Sequence, residues 1–597
     1  MSVQPSYLVQ TECLVVGAGP AGGALAAFLG QNGLKGLVIS NAAGTTLTPR
    51  AHAVNPFALE CLRDIDAEHE SIKAGTTGDW FKAQRWCRSM VDIEYGRVGY
   101  WGGHPDTQRD LAMASPCEYI DLPQTHLEPI LLKHANHFGF DIKFMHELIG
   151  IDRKSEEEVL CTVKDHLSNS IYQIKTKYLF GADGGRSTVG RSLEFKFKKS
   201  PSFGVACNIL LNADLEHLMR HRHAQLHWVM NPNQNTAFGT APLFRMVKPW
   251  RQWLLVCFTP NTNEDPFKNL RTDSPELHAF IKEMIGDDSV KVEVLRLDPW
   301  VCRETVAEWY SLGSNIHLLG DAAHRHPPAY GLGSNTCIQD AYNLAWKVAY
   351  VQRGLAGPGL LESYNDERQP VGATLVREAN AGLDAHAAVW DALGMMANSQ
   401  EQGTRQLEEL NEATEAGASR RVKLHNALES VRREGESLGL AMNQWYASQA
   451  IYVADEDGPR PTLQGDPIVK VQISTYPGSR LPHAWLDIPT RRQPISTQDI
   501  AGHGAFCIIT GNGGEAWKEA AVKISEKTGI PIRAYGIGFG LDYHDVHRDW
   551  YDRREVNEDG CVLVRPDRYV AWRSMKVVDD CFSKLSHVMS KILDKTF

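Results

Sequence analysis

The sequence predicts an α/β fold assembled from several units: a parallel sheet opened by a glycine turn, a further run of strands, and a smaller α/β unit toward the end of the chain. Three observations support this. The chain opens as strand, turn, helix and strand in "ECLVVGAGPAGGALAAFLGQNGLKGLVIS". Two later apolar strands run into glycine–aspartate turns, in "YLFGADGGRSTVGRSL" and "NIHLLGDAAHRHPPAYGLGSN". The chain has 597 residues, and single cores stop growing beyond roughly 250–300 residues.

Hydrophobic residues make up 43% of the chain and charged ones 22%, ordinary globular values that predict sizeable cores. The formal net charge of −10, with acids and bases interspersed, lacks the basic footprint that nucleic acid or an anionic membrane would require. Small-molecule partners are expected. No segment reaches the roughly 18–20 uninterrupted apolar residues of a membrane span. The apolar run 13–29 is broken by glycines and follows no Lys or Arg, so it reads as part of the fold and not as a leader. Twelve scattered cysteines without C-x-x-C or zinc-type spacings predict reduced thiols with core roles, a cytoplasmic location and no metal.

Taken in order, residues 13–16 read as a strand entering Gly17-Ala18-Gly19-Pro20-Ala21-Gly22, and a small-residue helix precedes a second strand at 36–39. In this setting the G-x-G-x-x-G pattern has a mechanism. Gly17 permits the tight turn, Gly19 lets backbone approach a pyrophosphate, and Gly22 allows close helix–strand packing, while the helix N-terminus offers N–H groups and a positive dipole end. The pattern implies a dinucleotide and does not distinguish FAD from NAD. One departure is Ser40, followed by Asn41, at the place where an acidic residue ordinarily grips the adenosine ribose.

The strand at 178–180 enters Gly181-Ala182-Asp183-Gly184-Gly185, which suits either a plain turn or backbone lying close to a charged ligand. The strand at 316–319 runs to Gly320-Asp321. Prolines 327 and 328 then stiffen the connection, and Gly331 and Gly333 free the backbone before a helix marked by Cys337, Ile338, Ala341, Leu344, Ala345 and Val348. The N-terminus of that helix favours negative charge, such as the pyrimidine end of a reduced flavin, and Asp321 is placed to accept a ribityl hydroxyl.

In this order and at these separations the three motifs resemble the single-component (class A) FAD-dependent aromatic hydroxylases, which share the para-hydroxybenzoate hydroxylase fold. The resemblance spans essentially the whole chain. It implies a Rossmann-like FAD-binding domain interleaved with a β-sheet substrate domain. Residues 1–199 form the first part of the FAD-binding domain with some elements of the sheet domain, 200–305 the substrate-binding sheet, and 306–385 the rest of the FAD-binding domain. Residues 386–465 form a helical connection and 466–597 a thioredoxin-like α/β domain. "GLAMNQWYASQAIY", "YPGSRLPHAWLD" and "VLVRPDRYVAWR" resemble the phenol and dichlorophenol hydroxylase branch.

In the last unit "AFCIIT" and "IPIRAYGIG" read as strands around the helix "EAWKEAAVKISEKTG", "CVLVRPDRYVAWR" as a hairpin with a Pro-Asp turn, and 575–593 as an amphipathic helix. Without C-x-x-C this unit is expected to be structural or to support a homodimer. "RQLEELNEATEAG" and "ALESVRREGESLG" read as helices with a solvated charged face. "LHWVMNP" and "RQWLLVCF" read as sheet strands, with Trp228, Trp250 and Trp253 assigned to core packing before any pocket.

By the same likeness, Gly17, Gly19, Gly22 and Ser40 border the ADP half of FAD, Asp183 serves FAD and NAD(P)H, Asp321 binds ribitol, and Gly333, Ser334 and Asn335 lie by the flavin ring. Arg50 in "TPRAHAVN" and Gln124 in "DLPQTHLEPIL" stand where relatives contact the cofactor. Pro328 matches the proline whose carbonyl faces the substrate hydroxyl. His52 stands where the branch carries Asp or His near the flavin, and an ordinary imidazole pKa near 6.5 suits proton exchange at neutral pH. His324 and His326 read as structural. Removing the phenolic proton raises ring nucleophilicity at the ortho and para carbons, toward the terminal oxygen of the flavin C4a-hydroperoxide that this family uses. The resemblance, with a single G-x-G-x-x-G in the chain, implies bound FAD with NADPH or NADH as a transient co-substrate, alongside O2 and a small phenolic substrate. A flavin-binding protein without turnover, an epoxidase or a decarboxylating hydroxylase are the alternatives on this scaffold; the W-x-W-x-I-P signature of flavin halogenases is absent.

Overall fold

The computed structural model describes residues 7–199, 204–239, 241–259, 265–488 and 493–597. Residue 200, the expected start of the sheet domain, lies outside them. The opening strand Leu8–Val16 is longer than its apolar core and fully enclosed only from Cys13. It pairs in parallel with Gly36–Ser40 on one side and Ile171–Gly181 on the other, and Phe140–Phe144 and Ile316–Leu318 continue the parallel sheet outward. Val16 lies beside Gly181, and Gly181 beside Leu318. That register delivers all three glycine motifs to one edge of the sheet, the carboxyl end, where open α/β sheets bind ligands.

The helix Pro20–Gln31 is built from Ala, Gly, Leu and Phe, which lets it sink between the helices Gln124–His137 and Gly333–Gln352. The latter is buried on every face from Ser334 to Tyr350, so its helical spacing marks an enclosed helix, not an amphipathic one.

The second sheet runs Glu293–Cys302, Gly204–Asn212, Gln252–Thr259, Leu243–Lys248, Leu226–Val229, Ala83–Cys87 and Glu94–Gly99. Its last two strands come from the first 199 residues, which is the expected interleaving. Trp253 is fully buried and donates to the Ala213 carbonyl at 3.1 Å, and Trp250 is buried beside it.

The 31-residue helix Glu362–Ala392 crosses the boundary expected at 385/386, so the flavin-side domain and the helical connection share one continuous rod. Against it packs Glu415–Gly435, capped by Thr414, whose hydroxyl accepts the Gly417 N–H at 3.1 Å. The charged face expected for "ALESVRREGESLG" is only partly solvated. Leu424, Ala427 and Val431 bury against Val389, Ala392, Trp86 and Met230, and Glu434 lies on the same side, 4% exposed.

The C-terminal unit has sheet order Ile532–Gly536, Phe506–Thr510, Cys561–Val564, Val570–Ser574, with the first pair parallel and the others antiparallel. Helices Glu515–Thr528 and Cys581–Ile592 complete it. The last helix starts at 581 and not 575, because Asp580 caps it by accepting the Ser583 N–H at 2.9 Å. Trp346 and Tyr350 of the helix Gly333–Gln352 belong to this unit's apolar core. All twelve cysteines are free and buried. Among the described residues no helix is long and apolar enough to cross a membrane.

Candidate active site

At the sheet edge the glycines are needed for different reasons. Gly17 has φ +111°, and a Cβ there would lie 2.1 Å from the Ala182 carbonyl oxygen; a Cβ on Gly22 would lie 1.9 Å from the Gly17 oxygen. Both allow backbone to meet backbone, and Gly17 touches the second motif directly. A Cβ on Gly19, in contrast, would meet nothing nearer than Glu128 Oε1 at 3.8 Å. Gly19 therefore faces open space at the N-terminus of a helix that has no side-chain cap and no acid in its first turn. The helix Gly333–Gln352 begins the same way, with no cap and no early acid, and a Cβ on Gly333 would meet only His326 at 3.9 Å. Two bare helix N-termini with open backbone fit a pyrophosphate and the electron-rich end of an isoalloxazine, so the residues present fit FAD.

The third motif is bound tightly to the first. Gly320 has φ +59°, and a Cβ there would lie 2.8 Å from Ala21 Cβ and from Cys337 Sγ. Its N–H is received by Asp340 at 3.1 Å, and the buried Asp340 also pairs with His324 at 2.7 Å and Arg368 at 2.7 Å. Burial alone would raise the Asp340 carboxyl, but Arg368 and His324 hold it below the usual range. His324 is thus held within a buried network, and His326 Nδ1 lies 2.6 Å from the Pro327 carbonyl. Asp321, next to Gly320, is exposed at the strand end. Asp183 caps the short helix Thr188–Ser192 through the N–H groups of Thr188 and Val189 at 2.6 and 3.2 Å; its other oxygen is buried without a partner, and burial raises its carboxyl.

The remaining expected cofactor residues have local engagements. Ser40 Oγ accepts the Ala42 N–H at 3.3 Å. Gln124 donates to Glu128 at 2.7 Å, while the other Glu128 oxygen receives the Thr46 N–H at 2.6 Å. Arg50 makes a bidentate pair with Asp298 at 2.9 and 3.0 Å and is 58% exposed, which ties its loop to the second sheet. Ser334 is buried in the first turn of its helix. Asn335 donates to the carbonyls of Ala53 and Gly331, both at 2.8 Å, and receives the Asn55 N–H at 2.8 Å. It staples the glycine loop to the strand that follows His52. Pro328 is exposed on that loop.

His52 has partners that the sequence reading did not assign. Its Nδ1 is 2.6 Å from Asp121 Oδ1, and Asp121 is fully buried. The two residues meet because the short strands Ala53–Val54 and Ile120–Asp121 pair antiparallel. The carboxylate fixes the imidazole as the Nδ1–H tautomer and leaves Nε2 as an acceptor. Gln225 lies 3.1 Å from the same nitrogen. Arg245, buried nearby, donates to the carbonyls of Arg50 and Pro49. Burial first, and Arg245 second, lower the His52 pKa from 6.5 to about 4 against the opposing pull of Asp121. His52 is therefore neutral at pH 7, and burial likewise lowers Arg245 to about 10. The ring of Trp101 stands edge-on to His52 at 5.1 Å, and its Cζ2 lies 3.4 Å from where a Gly331 Cβ would be. One wall thus carries His52, Trp101 and the glycine loop. Asp121 opens the same "DLPQTHLEPIL" segment that singled out Gln124, so an acid was in view; only its pairing was not.

A parallel sheet that gathers a dinucleotide turn, the Gly320-Asp321 turn and a second bare helix N-terminus at one edge, with a neutral histidine in the adjoining wall, fits a flavoprotein. Comparison with known proteins agrees. Residues 10–379 match the family described as FAD binding domain, and residues 474–596 the one described as aromatic-ring hydroxylase, C-terminal. The chain is 35% identical to 2,4-dichlorophenol 6-monooxygenase of Delftia acidovorans, over 99% of each chain. It is 37% identical to phenol 2-monooxygenase of Pseudomonas sp. (strain EST1001), over 98% of this chain and 93% of that one. The crystal structure of the flavin-dependent monooxygenase PieE, in complex with FAD and substrate, superposes with a TM-score of 0.92 at 33% identity, covering 99% of this chain and 100% of that one. The chain belongs to the FAD-dependent aromatic-ring hydroxylases of class A, and it is a monooxygenase that uses FAD, NAD(P)H and O2.

Proposed function

We propose that the protein hydroxylates a small phenol at the carbon ortho to its hydroxyl group, with His52 as the proton acceptor. The observation that carries this reading is the His52–Asp121 pair beside Trp101 and Gly331: an imidazole kept neutral, with its free nitrogen unopposed, in the wall that adjoins the glycine loop. The names of the two relatives above, a phenol 2-monooxygenase and a dichlorophenol 6-monooxygenase, both denote an ortho position.

Bound FAD would supply oxygen activation with electrons drawn from NADH or NADPH. Gly17, Gly19 and Gly22 would hold its pyrophosphate, with Ser40, Arg50, Gln124 and Asp183 nearby. Asp321 would hold the ribityl chain, and the backbone at Gly333, Ser334 and Asn335 the pyrimidine end. The Pro328 carbonyl would orient the phenolic hydroxyl toward His52 Nε2. A base near 4 and a phenol near 10 are about six units apart, or roughly 8 kcal/mol, so complete transfer before ring attack is strongly uphill. As the new C–O bond forms, the ring hydroxyl becomes strongly acidic, and His52 accepts its proton in that same step. Asp121 then faces an imidazolium that it stabilises.

The C-terminal sheet order, with one parallel pair followed by a hairpin, supports a thioredoxin-like unit without redox chemistry. A homodimer and a cytoplasmic location complete the reading. The test is to purify the protein, release its flavin by heat, and screen phenols for stimulated NAD(P)H oxidation with products identified by mass. FAD in the supernatant and a catechol product are expected; a protein that cannot be loaded with FAD, or one that phenols do not stimulate, would overturn the proposal.

A further inference from the structure

The loop that carries Pro328 and Gly331 contains a residue in an unfavourable conformation. Tyr330 has φ 63° and ψ −8°, left-handed backbone that a bulky side chain seldom adopts. Something must hold it there. The Tyr330 N–H is received at 2.7 Å by Glu434 Oε1, which also accepts the Tyr100 hydroxyl at 2.9 Å; the other carboxylate oxygen is 2.8 Å from His386 Nε2. Glu434, His386, Tyr330 and Tyr100 are each at most 5% exposed. His386 is packed in turn against Trp228 at 4.9 Å between ring centres.

The next residue grips the opposite strap. The Gly435 carbonyl receives the Trp101 N–H at 2.9 Å, and a Cβ on Gly435 would lie 2.3 Å from the Tyr100 ring. Trp101, itself left-handed at φ 46°, is the ring that contacts both His52 and the Gly331 position. The end of one helix from the connecting segment therefore holds two walls at once: the glycine loop through Glu434, and the Tyr100–Trp101 strap through Gly435. A carboxylate buried this deeply is costly unless every oxygen is paired, and here both are.

We propose that Glu434 is a positioning residue of the active site, fixing the left-handed Tyr330 turn and through it the Pro328 carbonyl and the Gly331–Gly333 backbone. The helical connection is then a working part of the site and not a spacer. This rests on reading that loop as the flavin-side wall.

The experiment compares Glu434→Leu, Glu434→Gln and, on the exposed side of the same helix, Glu429→Gln in the full-length FAD-loaded enzyme. Product formed per NAD(P)H oxidised, hydrogen peroxide release and the visible flavin spectrum are measured beside thermal unfolding. The expected order of coupling is wild type equal to Glu429→Gln, then Glu434→Gln, then Glu434→Leu. The Leu variant should lose about tenfold or more in product per NAD(P)H, release matching peroxide and show a displaced flavin spectrum. Glu434→Gln keeps an oxygen for the Tyr330 N–H, so it recovers part of the coupling, which a purely structural role would not demand. If Glu434→Leu folds with wild-type coupling and spectrum, the inference falls. If that variant does not fold, Glu434→Gln decides alone: wild-type values in every readout overturn the inference, and reduced coupling with FAD retained supports it. Failure of the underlying reading is distinguishable, because wild-type enzyme would then show no phenol-stimulated turnover at all.

Discussion

Asp121→Asn tests the acid–base reading with the smallest change of shape. The carboxylate lies 2.6 Å from His52 Nδ1 and is wholly buried. A hydrogen bond to a charged group contributes about 1.5–3 kcal/mol and a neutral one about 0.5–1.5. Replacing one by the other thus removes about 1–1.5 kcal/mol, or about five- to tenfold. A second effect adds to it. If the new amide turns its NH2 toward Nδ1, the imidazole proton moves to Nε2, and the acceptor that faces the substrate becomes a donor. Complete loss of a general base costs about 10²–10⁴-fold and sets the ceiling. Product formation should therefore fall between about tenfold and a hundredfold, with FAD content unchanged, NAD(P)H still oxidised and peroxide replacing product.

The pH dependence sharpens this test. His52 accepts a proton only while neutral, and its pKa is lowered from 6.5 to about 4. Wild-type coupling should therefore stay flat on the acid side down to about pH 4–5 and show no limb near 6.5. Asp121→Asn removes a contribution that raises this pKa, so no acid limb appears at higher pH in the variant either. Its deficit should shrink toward pH 10, where a phenol ionises unaided. Stability follows the same group. A depressed pKa means that the unfolded chain takes up the proton first as pH falls. The contribution of His52 is complete above 6.5 and is lost on descending to about 4, to a total of about 3 kcal/mol; His52→Gln should flatten that part of the denaturation-versus-pH curve. Wild-type product yield and coupling in Asp121→Asn at pH 7, with stability preserved, would refute the assignment.

Two further outcomes are expected. Asp321→Ala, read by flavin titration of the refolded apoprotein, should lower FAD affinity tenfold or more, since it removes a charge-assisted bond of about 1.5–3 kcal/mol, whereas Ser40→Glu should hold or improve it. Arg565→Met should lower the unfolding midpoint by an amount equivalent to about 3–5 kcal/mol, because it leaves the buried Glu367 and Asp567 carboxylates short of a partner, while Arg405→Ala at an exposed pair should leave the midpoint almost unchanged in the same assay.

The parts of the site that were legible in the sequence are those in which one short segment holds both the signal and its cause. Gly17, Gly19 and Gly22 sit between their own strand and helix, and Gly320-Asp321 ends its own strand; the parallel register only had to bring the strand ends together. The His52–Asp121 contact has no such local cause. It spans 69 positions and depends on two strands of two residues each, too short for any alternation of apolar and polar residues to announce them. Asp340 was missed because it lies inside a helix read for its apolar spacing, although a carboxylate on a helix buried on every side can persist only if it is paired.

Glu434 shows which signal was present and outweighed. The segment around it is rich in charge, and charged helical runs are usually solvated. Yet Leu424, Ala427, Val431 and Glu434 follow one another at intervals of three, four and three residues, so Glu434 continues the stripe that faces inward. Lys347 does the same on the helix Gly333–Gln352: fully buried, it pairs with Glu367 at 2.7 Å, and Glu367 is gripped from the C-terminal hairpin by Arg565 at 2.6 and 2.9 Å. The neighbouring Arg368 turns the other way, to Asp340 and so to the Gly320 N–H. Two adjacent residues of one helix thus link the C-terminal unit to the turn that bears Asp321. Apolar packing between these units would tolerate sliding, whereas fully buried pairs are satisfied in one register and costly in any other. The charges that interrupt the apolar stripes are what fix the docking of the outer units, and with it the placement of the Gly320 turn.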